Sequence, residues 1–122
     1  YGASGVAIHV TARHDKLDID RAIPCGLIIQ ELVSNALKYA FPGNRIGEIR
    51  IESKIEPPNT FVLMVMDNGV GLPDHVEIGE TDTLGLKLVL GLTENQLGGK
   101  LELIRKQGTQ FTIKFPLGSG YN

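Results

Sequence analysis

Four short segments of the chain combine acids, amides, an ammonium group and glycines in a way that could bind a charged ligand. They are residues 31–39, 67–71, 83–86 and 108–109. A carboxylate can accept a hydrogen bond from the amino group of a base, and an amide oxygen can bind a hard cation. Glycines allow close approach, and free backbone N–H groups bind phosphates. Together these groups predict a nucleotide site.

The first segment places polar side chains on one stripe of a predicted helix. At about 100° per residue, Glu31, Asn35 and Lys38 fall within an arc of roughly 60°, with Tyr39 at its border. Asn is a poor helix former, so Asn35 favours a functional role, and its amide oxygen suits Mg²⁺. Taken alone, the segment fits a solvated helical edge with i,i+4 interactions equally well.

The second segment places Asp67 at the end of an apolar run, directly before Asn68 and Gly69. A simple turn would explain this pattern, but residues 70–73 do not resume a partner strand. Asp67 could instead accept a hydrogen bond from the exocyclic amine of adenine. Gly69 and Gly71 would then let the base lie against backbone without an intervening Cβ.

The remaining two segments supply backbone and a hydroxyl. Thr83 leads through Leu84 and Gly85 into a predicted second helix, whose first N–H groups could bind phosphate. An ordinary N-cap at Thr83 explains the same residues. Residues 108–109 taken alone indicate a hairpin glycine followed by Thr109, whose hydroxyl could reach the base directly or through water.

Size and composition restrict the possible classes of protein. The chain has 122 residues, 42% of them hydrophobic, which is typical of one globular domain with a core. A formal net charge of −2 gives no indication of nucleic-acid binding. The longest apolar run, residues 61–66, is far too short to cross a bilayer.

The single cysteine, Cys25, excludes an internal disulfide, fits a reducing compartment and is predicted to be a buried filler. Because the chain starts at Tyr1 without Met, we expect it to belong to a longer protein.

Hydrophobic periodicity and breaker residues predict the secondary structure. The first helix should begin at Ile23-Pro24 and end before Pro42-Gly43. A second helix should cover residues 84–97, with Leu84, Leu88, Val89 and Leu92 as its apolar stripe. Residues 68–83 are predicted to form a loop. The predicted strands are 6–10, 17–20, 48–55, 61–66, 100–105 and 110–115.

This pattern predicts an α+β fold in which a mixed, mostly antiparallel sheet is covered on one face by helices, forming a two-layer sandwich. Neither a P-loop nor a G-x-G-x-x-G sequence after a strand is present, so a nucleotide would lie between the helices and the sheet. Residues 1–117 are predicted to form this domain, and residues 118–122 a flexible tail.

At this point the order of the four segments resembles the ATP-binding catalytic domain of sensor histidine kinases. These belong to a superfamily with gyrase, the Hsp90 chaperones and the MutL repair proteins, which share the Bergerat-type ATP-binding fold. The resemblance covers roughly residues 6–116. It is most specific over residues 27–42, LIIQELVSNALKYAFP, which resemble the asparagine box of the subgroup with a short ATP lid.

The resemblance implies roles for individual residues. Glu31 would be the general base or proton relay, and Asn35 would be the Mg²⁺ ligand. Lys38 and Tyr39 would contact phosphate, and Lys38 is also assigned a catalytic role. Asp67 would anchor adenine, and Thr109 would assist at the base. The complete set of implied ATP contacts is Asn35, Lys38, Tyr39, Asp67, Gly69, Gly71, Leu72, Thr83, Leu84, Gly85, Leu86 and Thr109.

Two features depart from the pattern of the family. Thr83 stands where many members have the first glycine of the second glycine box, so phosphate binding there would depend on Gly85 and Leu86. The lid, residues 73–83, is short and lacks a separate phenylalanine box.

The function implied is that of a transferase, a protein-histidine kinase in two-component signal transduction, with ATP and Mg²⁺ as cofactors. His9, His14 and His75 are not in a helical acceptor context, so the acceptor is expected outside this chain. The implied partners are dimerisation and phosphoacceptor helices, from its own or a partner chain, and a downstream response regulator. Nucleic acid and direct membrane insertion are not expected. The implied location is the cytoplasm, whether or not the parent protein is membrane-anchored.

Three alternatives remain open at this point. An ATP hydrolase of the gyrase, Hsp90 or MutL type would use the same glutamate to activate water, but it typically has Asp where this chain has Lys38. A protein-serine kinase would share the pocket. A nucleotide-sensing module would bind without catalysis and would not need Glu31 as a base.

Overall fold

The computed structural model describes residues 5–12, 17–41, 46–70, 84–105 and 107–118. These residues form five strands, two α-helices and one π-helical turn. In chain order they are β1 (Val6–Ala12), α1 (Ile19–Tyr39), β2 (Gly47–Glu56), β3 (Thr60–Asp67), α2 (Leu84–Gly91), the π-helical turn (Leu92–Gln96), β4 (Lys100–Ile104) and β5 (Thr109–Pro116).

The five strands form one mixed sheet in the order β1-β2-β3-β5-β4. β1 runs parallel to β2, and every other pair of neighbours is antiparallel. β3 lies in the middle, where both of its edges are paired, and this position explains its almost continuous apolar sequence. The predicted mixed, mostly antiparallel sheet is confirmed.

The core lies between one face of this sheet and the two helices. From α1 it receives Ile28, Leu32 and Ala36, and from α2 it receives Leu86 and Val89. The sheet contributes side chains that alternate along each strand, as a period of two requires. They include Ile49, Ile51, Phe61, Leu63, Val65, Phe111, Ile113 and Phe115. The predicted two-layer sandwich with helices on one face is therefore confirmed.

The start of α1 differs from the prediction. Residues 17–20 were expected to be a strand, with the helix starting at Ile23, but α1 starts at Ile19. The Asp18 carbonyl accepts hydrogen bonds from the N–H groups of Arg21 and Ala22, and the Asp18 carboxylate pairs with the Arg21 guanidinium at 2.9 Å. Pro24 consequently lies inside the helix. Four alternating residues were too few to distinguish a strand from this first helical turn.

The predicted apolar stripe of the second helix is also wrong in part. Leu88 is 44% exposed, whereas Leu86 and Val89 are buried. The sequence of α2 is apolar on nearly every side, so its periodicity did not identify the face that packs on the core. The regular helix ends at Gly91, and the π-helical turn extends it.

Two other predictions, a buried Cys25 and a closing hairpin, are confirmed by the described residues. Cys25 is buried, and burial raises its pKa to about 11, as expected for an inert filler. The closing hairpin joins β4 to β5 around Gly108. Within the described ranges, no helix is both long enough and apolar enough to span a bilayer. Of the predicted tail, only Gly118 is described, so the domain boundary stays a prediction.

Candidate nucleotide-binding site

The site is built along α1, which carries the first segment. Glu31 and Asn35 are half-buried and Lys38 is exposed. Leu32 and Ala36, their neighbours in the sequence, point into the core. The polar stripe therefore runs along the border between the buried and exposed faces of the helix, where its groups can reach both the protein and a ligand.

Asp67 is the last residue of β3 and pairs with Thr109 of β5. Its Oδ1 accepts a hydrogen bond from the Gly69 N–H at 2.9 Å. Burial raises the pKa of Asp67, while backbone hydrogen bonds from Gly69 and Thr109 act in the opposite direction, and the net shift is upward. A carboxylate offers about four acceptor positions, so Asp67 retains capacity for a ligand donor.

The residues after Asp67 are tied to β2 and to the end of α1 by three hydrogen bonds. The Glu48 N–H donates to Asn68 Oδ1 at 2.8 Å, and the Asn68 N–H donates to the Glu48 carbonyl at 3.2 Å. The Val70 N–H donates to the Ala40 carbonyl at 2.9 Å. A Cβ on Gly69 would overlap that same carbonyl. The second segment is thus fixed against the C-terminal end of α1.

Sequence reasoning missed Asn68 and Ala40 as supports of the site. In the sequence, Asn68-Gly69 indicates a turn, whereas in the structure the Asn68 side chain accepts from the Glu48 N–H and closes the end of the β2–β3 ladder. The Ala40 carbonyl lies beyond the last residue of α1, where carbonyl groups lack helical partners. That general property was the available signal, but it did not indicate which segment would supply the donor.

The fourth segment packs on the second through Gly108. Gly108 has φ +119°, a left-handed conformation that L side chains rarely adopt, and a Cβ there would overlap the Asp67 carbonyl. Thr109, immediately after it, is buried. The hairpin glycine therefore brings Thr109 to the position beside Asp67 that a contact with the same base would require.

The third segment packs on the first through Gly85, the second residue of α2. The three atoms nearest to a Cβ at position 85 all belong to the end of the Glu31 side chain, and the closest is Oε2. The start of α2, where the first N–H groups of a helix have no intrahelical partner, consequently lies beside the polar stripe of α1. Such a helix end suits phosphate oxygens.

Where they are described, the second and third segments therefore both pack on α1 or its C-terminal end, and the fourth packs on the second. Leu86 is 5% exposed, and its side chain packs in the core, so only its backbone is available for a ligand. Gly71, Leu72 and Thr83 lie outside the described residues, as do the side chains of Tyr39 and Leu84. Their predicted roles as ATP contacts stay predictions.

The donor set fits a cation that brings most of its own ligands. Within the described part of the chain, no group of three or more His, Cys, Asp or Glu side chains could hold a metal ion. Mg²⁺ usually keeps several waters and takes one or two protein oxygens together with phosphate oxygens. The half-buried amide of Asn35 can supply one such oxygen.

Residues 20–119 match the family described as histidine kinase-, DNA gyrase B- and HSP90-like ATPases. The chain belongs to this family. Its predicted resemblance to the ATP-binding catalytic domain of sensor histidine kinases is therefore confirmed at the level of family and fold. The family assignment also makes ATP the nucleotide that the four segments are expected to bind.

Two related proteins are named histidine kinases. The chain is 34% identical over 105 residues to the sensor histidine kinase PdtaS of Mycobacterium tuberculosis, covering 84% of this chain and 21% of the relative. It is 27% identical over 117 residues to blue-light-activated histidine kinase 2 of Erythrobacter litoralis, covering 95% of this chain and 34% of the relative. The domain thus spans between about a fifth and a third of these relatives.

Solved structures of histidine kinases share the fold. The histidine kinase domain of the blue-light-activated kinase EL346 of Erythrobacter litoralis superposes with a TM-score of 0.85 at 27% identity, covering 93% of this chain and 52% of that one. The catalytic domain of histidine kinase ThkA superposes with a TM-score of 0.70 at 20% identity, covering 92% of this chain and 80% of that one. The second similarity shows the fold alone.

Proposed function

We propose that this domain binds Mg-ATP and transfers the γ-phosphoryl group to a histidine on a separate dimerisation and phosphoacceptor domain in two-component signalling. The observation that carries the proposal is that the second and third segments, which contain Gly69 and Gly85, both pack on α1 or its C-terminal end. Gly69 contacts Ala40 at the end of the helix, and Gly85 contacts Glu31 two turns earlier. A nucleotide that lies along α1 could therefore contact the carboxylate proposed to bind adenine and approach the carboxylate proposed as the general base.

At the adenine end, Asp67 would accept a hydrogen bond from the exocyclic amine. The Gly69 N–H already donates to Oδ1, and the Asn68 contacts with Glu48 fix the following backbone. Preorganisation of this kind lowers the entropy lost when a ligand binds. Thr109, buried beside Asp67, would make the second contact with the base.

At the phosphate end, Lys38 and the start of α2 would hold the phosphate oxygens, and Asn35 would supply a protein ligand to Mg²⁺. When bound, Mg²⁺ would neutralise charge on the phosphates. Phosphoryl transfer depends mainly on positioning and on electrostatic stabilisation, with little covalent chemistry by the protein. Glu31 would accept or orient the proton of the attacking imidazole, as a general base does.

The acceptor histidine would come from another domain. His9 is exposed on β1 and lies in a strand, not on a helix. His14 and His75 lie outside the described residues. The proposed partners are therefore the dimerisation and phosphoacceptor helices of the same or another chain, followed by a response regulator, with the domain acting in the cytoplasm.

The proposal is tested in two steps. A calorimetric titration of the chain with ATP and with GTP, each with and without Mg²⁺, should show a preference for ATP and a gain from Mg²⁺. The chain is then incubated with labelled Mg-ATP and a phosphoacceptor domain, and the labelled amino acid is identified from its acid and alkali stability.

The products separate the alternatives. Acid-labile, alkali-stable label on the acceptor domain is expected from phosphohistidine. Phosphoserine would support a serine kinase, and release of free phosphate without label would support a hydrolase, although Lys38 in place of the typical Asp argues against that class. Binding with neither product would support a nucleotide-sensing module and contradict the proposed transfer.

A further inference from the structure

Gly85 and Glu31 lie far apart in the chain but are in direct contact in the fold. A Cβ built on Gly85 would meet Oε2, Cδ and Cγ of Glu31, and no other group is among its three nearest atoms. Even an alanine methyl group would therefore occupy the space of the carboxylate. The contact differs from those of Gly69 and Gly108, whose nearest atoms are backbone carbonyl oxygens.

If a methyl group were added at position 85, the carboxylate would move and the helix would stay. α2 is anchored by Leu86 and Val89, which are 5% and 0% exposed in the core. The Glu31 side chain is only half-buried, and its carboxylate is the far end of a flexible chain. Rotation about its side-chain bonds costs far less than a shift of a packed helix, because protein interiors are close-packed.

We propose that Gly85 is a positioning residue for Glu31. The missing Cβ leaves the space in which the carboxylate lies against the first turn of α2, and a side chain at position 85 would displace it from the acceptor. This inference rests on the proposed role of Glu31 as the base. It differs from the phosphate contact predicted for Gly85, because it assigns the effect of the glycine to catalysis and not to nucleotide affinity.

The test is Gly85→Ala, measured as Kd for Mg-ATP and as the rate of transfer to the phosphoacceptor domain at saturating ATP. Displacing a catalytic group by about 1 Å can cost about 100-fold in rate, and we expect a loss of that order. The Kd for ATP should change little, because the substitution keeps every backbone N–H at the start of α2 that the proposed function assigns to phosphate. The thermal midpoint should be no lower than that of the wild type, because Ala favours a helix more than Gly does.

Gly91→Ala is the matched control. Gly91 lies in the same helix, and a Cβ there would meet nothing within 4 Å. The substitution adds the same methyl group in open space, so transfer and ATP affinity should both equal those of the wild type. Loss of transfer in Gly85→Ala but not in Gly91→Ala assigns the effect to the contact with Glu31.

A second measurement tests whether the two residues act through each other. In a Glu31→Gln background the base is already removed, so Gly85→Ala should cause no further loss of transfer. Additive losses in this background would contradict the inference.

The remaining outcomes distinguish the inference from the proposed function. A wild-type domain that binds ATP but never labels a histidine would overturn the proposed function and the inference with it. A wild-type domain that transfers normally, with Gly85→Ala as active as Gly91→Ala, would overturn the inference alone. A rise in Kd that accounts for the whole defect, or a lowered thermal midpoint, would show that the backbone of α2 is affected instead.

Discussion

The two ends of the candidate site are held in different ways. At the end proposed to bind adenine (the adenine end), Asp67 accepts backbone hydrogen bonds from Gly69 and Thr109, and Asn68 fixes the next residues to β2. At the end proposed to bind phosphate (the phosphate end), the side chains of Glu31, Asn35 and Lys38 project from the border of one helix. The first end is fixed by the backbone of a sheet, and the second depends on rotamers.

This difference has a physical consequence for each end. Burial raises the pKa of Asp67, so the ionised form needed as an acceptor is kept at some cost to the stability of the fold. The polar stripe of α1 is half-buried to exposed, so its groups can move when a ligand arrives. We infer that the adenine end selects the ligand and that the phosphate end carries out the reaction.

The largest expected effect is that of Glu31→Gln on transfer. Loss of a general base typically lowers the rate by about 100- to 10,000-fold, and we expect transfer to a histidine to fall within that range. The Kd for ATP should not change, because the amide has the same shape and the base-binding end is untouched. Radiolabel transfer and calorimetry measure the two quantities separately.

Glu102→Gln is the control for this change, since Glu102 is exposed on β4. It should leave both transfer and affinity unaltered. If Glu31→Gln transferred at the wild-type rate, Glu31 would have no part in the reaction, and the comparison between the two ends would fail at the phosphate end.

The next largest effect is that of Asp67→Asn on binding. The amide presents a donor where the adenine amine needs an acceptor, a loss of about 1–3 kcal/mol, or roughly 5- to 150-fold in Kd. The free energy of unfolding should change little, because removal of a partly buried charge opposes any weakening of the backbone hydrogen bonds from Gly69 and Thr109. Calorimetry gives Kd, and urea unfolding gives stability.

Asp20→Asn serves as the matched control, because Asp20 is exposed in the first turn of α1. Its ATP affinity should equal that of the wild type. Unchanged affinity in Asp67→Asn would mean that adenine does not bind to Asp67, and the assignment of the two ends would have to be abandoned.

A smaller effect is expected for Asn35→Ala, which removes the proposed Mg²⁺ ligand. ATP affinity in the presence of Mg²⁺ should fall by about one order of magnitude, or roughly 1.4 kcal/mol. Affinity in the absence of Mg²⁺ should stay the same, because the adenine contacts remain. Asn95→Ala, an exposed position in the π-helical turn, is the control. Equal losses with and without Mg²⁺ would refute the role of Asn35 as a ligand.

The smallest effect is a pH dependence at the adenine end. The pKa of Asp67 is raised from its ordinary value of 3.8 in the folded state, so the folded protein binds this proton more tightly than the unfolded chain. As pH falls from neutral toward 3.8, Asp67 becomes protonated and should therefore destabilise the folded state less. The protonated carboxyl also loses the acceptor that the adenine amine needs. Adenosine, which carries no phosphate, should bind more weakly over that range.

Asp67→Asn should show neither this change in stability nor this loss of adenosine affinity as pH falls. The difference between the wild type and the variant therefore isolates the contribution of Asp67. Denaturant unfolding and adenosine titration at several pH values measure them. An adenosine affinity that falls equally in both proteins would attribute the pH dependence to the ligand or to another group.

The sequence was sufficient to predict a strand or helix wherever a local pattern extends over many residues. The alternation before Ile55 predicted β2, and the apolar run that Asp67 ends predicted the central strand, both within a residue or two. It was insufficient where patterns are short or uniform. Four residues could not distinguish a strand from the first turn of α1, and a helix that is apolar on nearly every side did not indicate that Leu88 faces outward.

The sequence alone determined most of the elements, the kind of fold and the residue types of the four segments, because periodicity, breakers and side-chain chemistry act over short stretches of chain. Only the tertiary structure decided which segments touch. It placed Gly69 on Ala40, Gly85 on the Glu31 carboxylate and Gly108 on the Asp67 carbonyl. Such contacts join residues distant in the chain, and they depend on how a sheet and two helices pack, which no local pattern specifies.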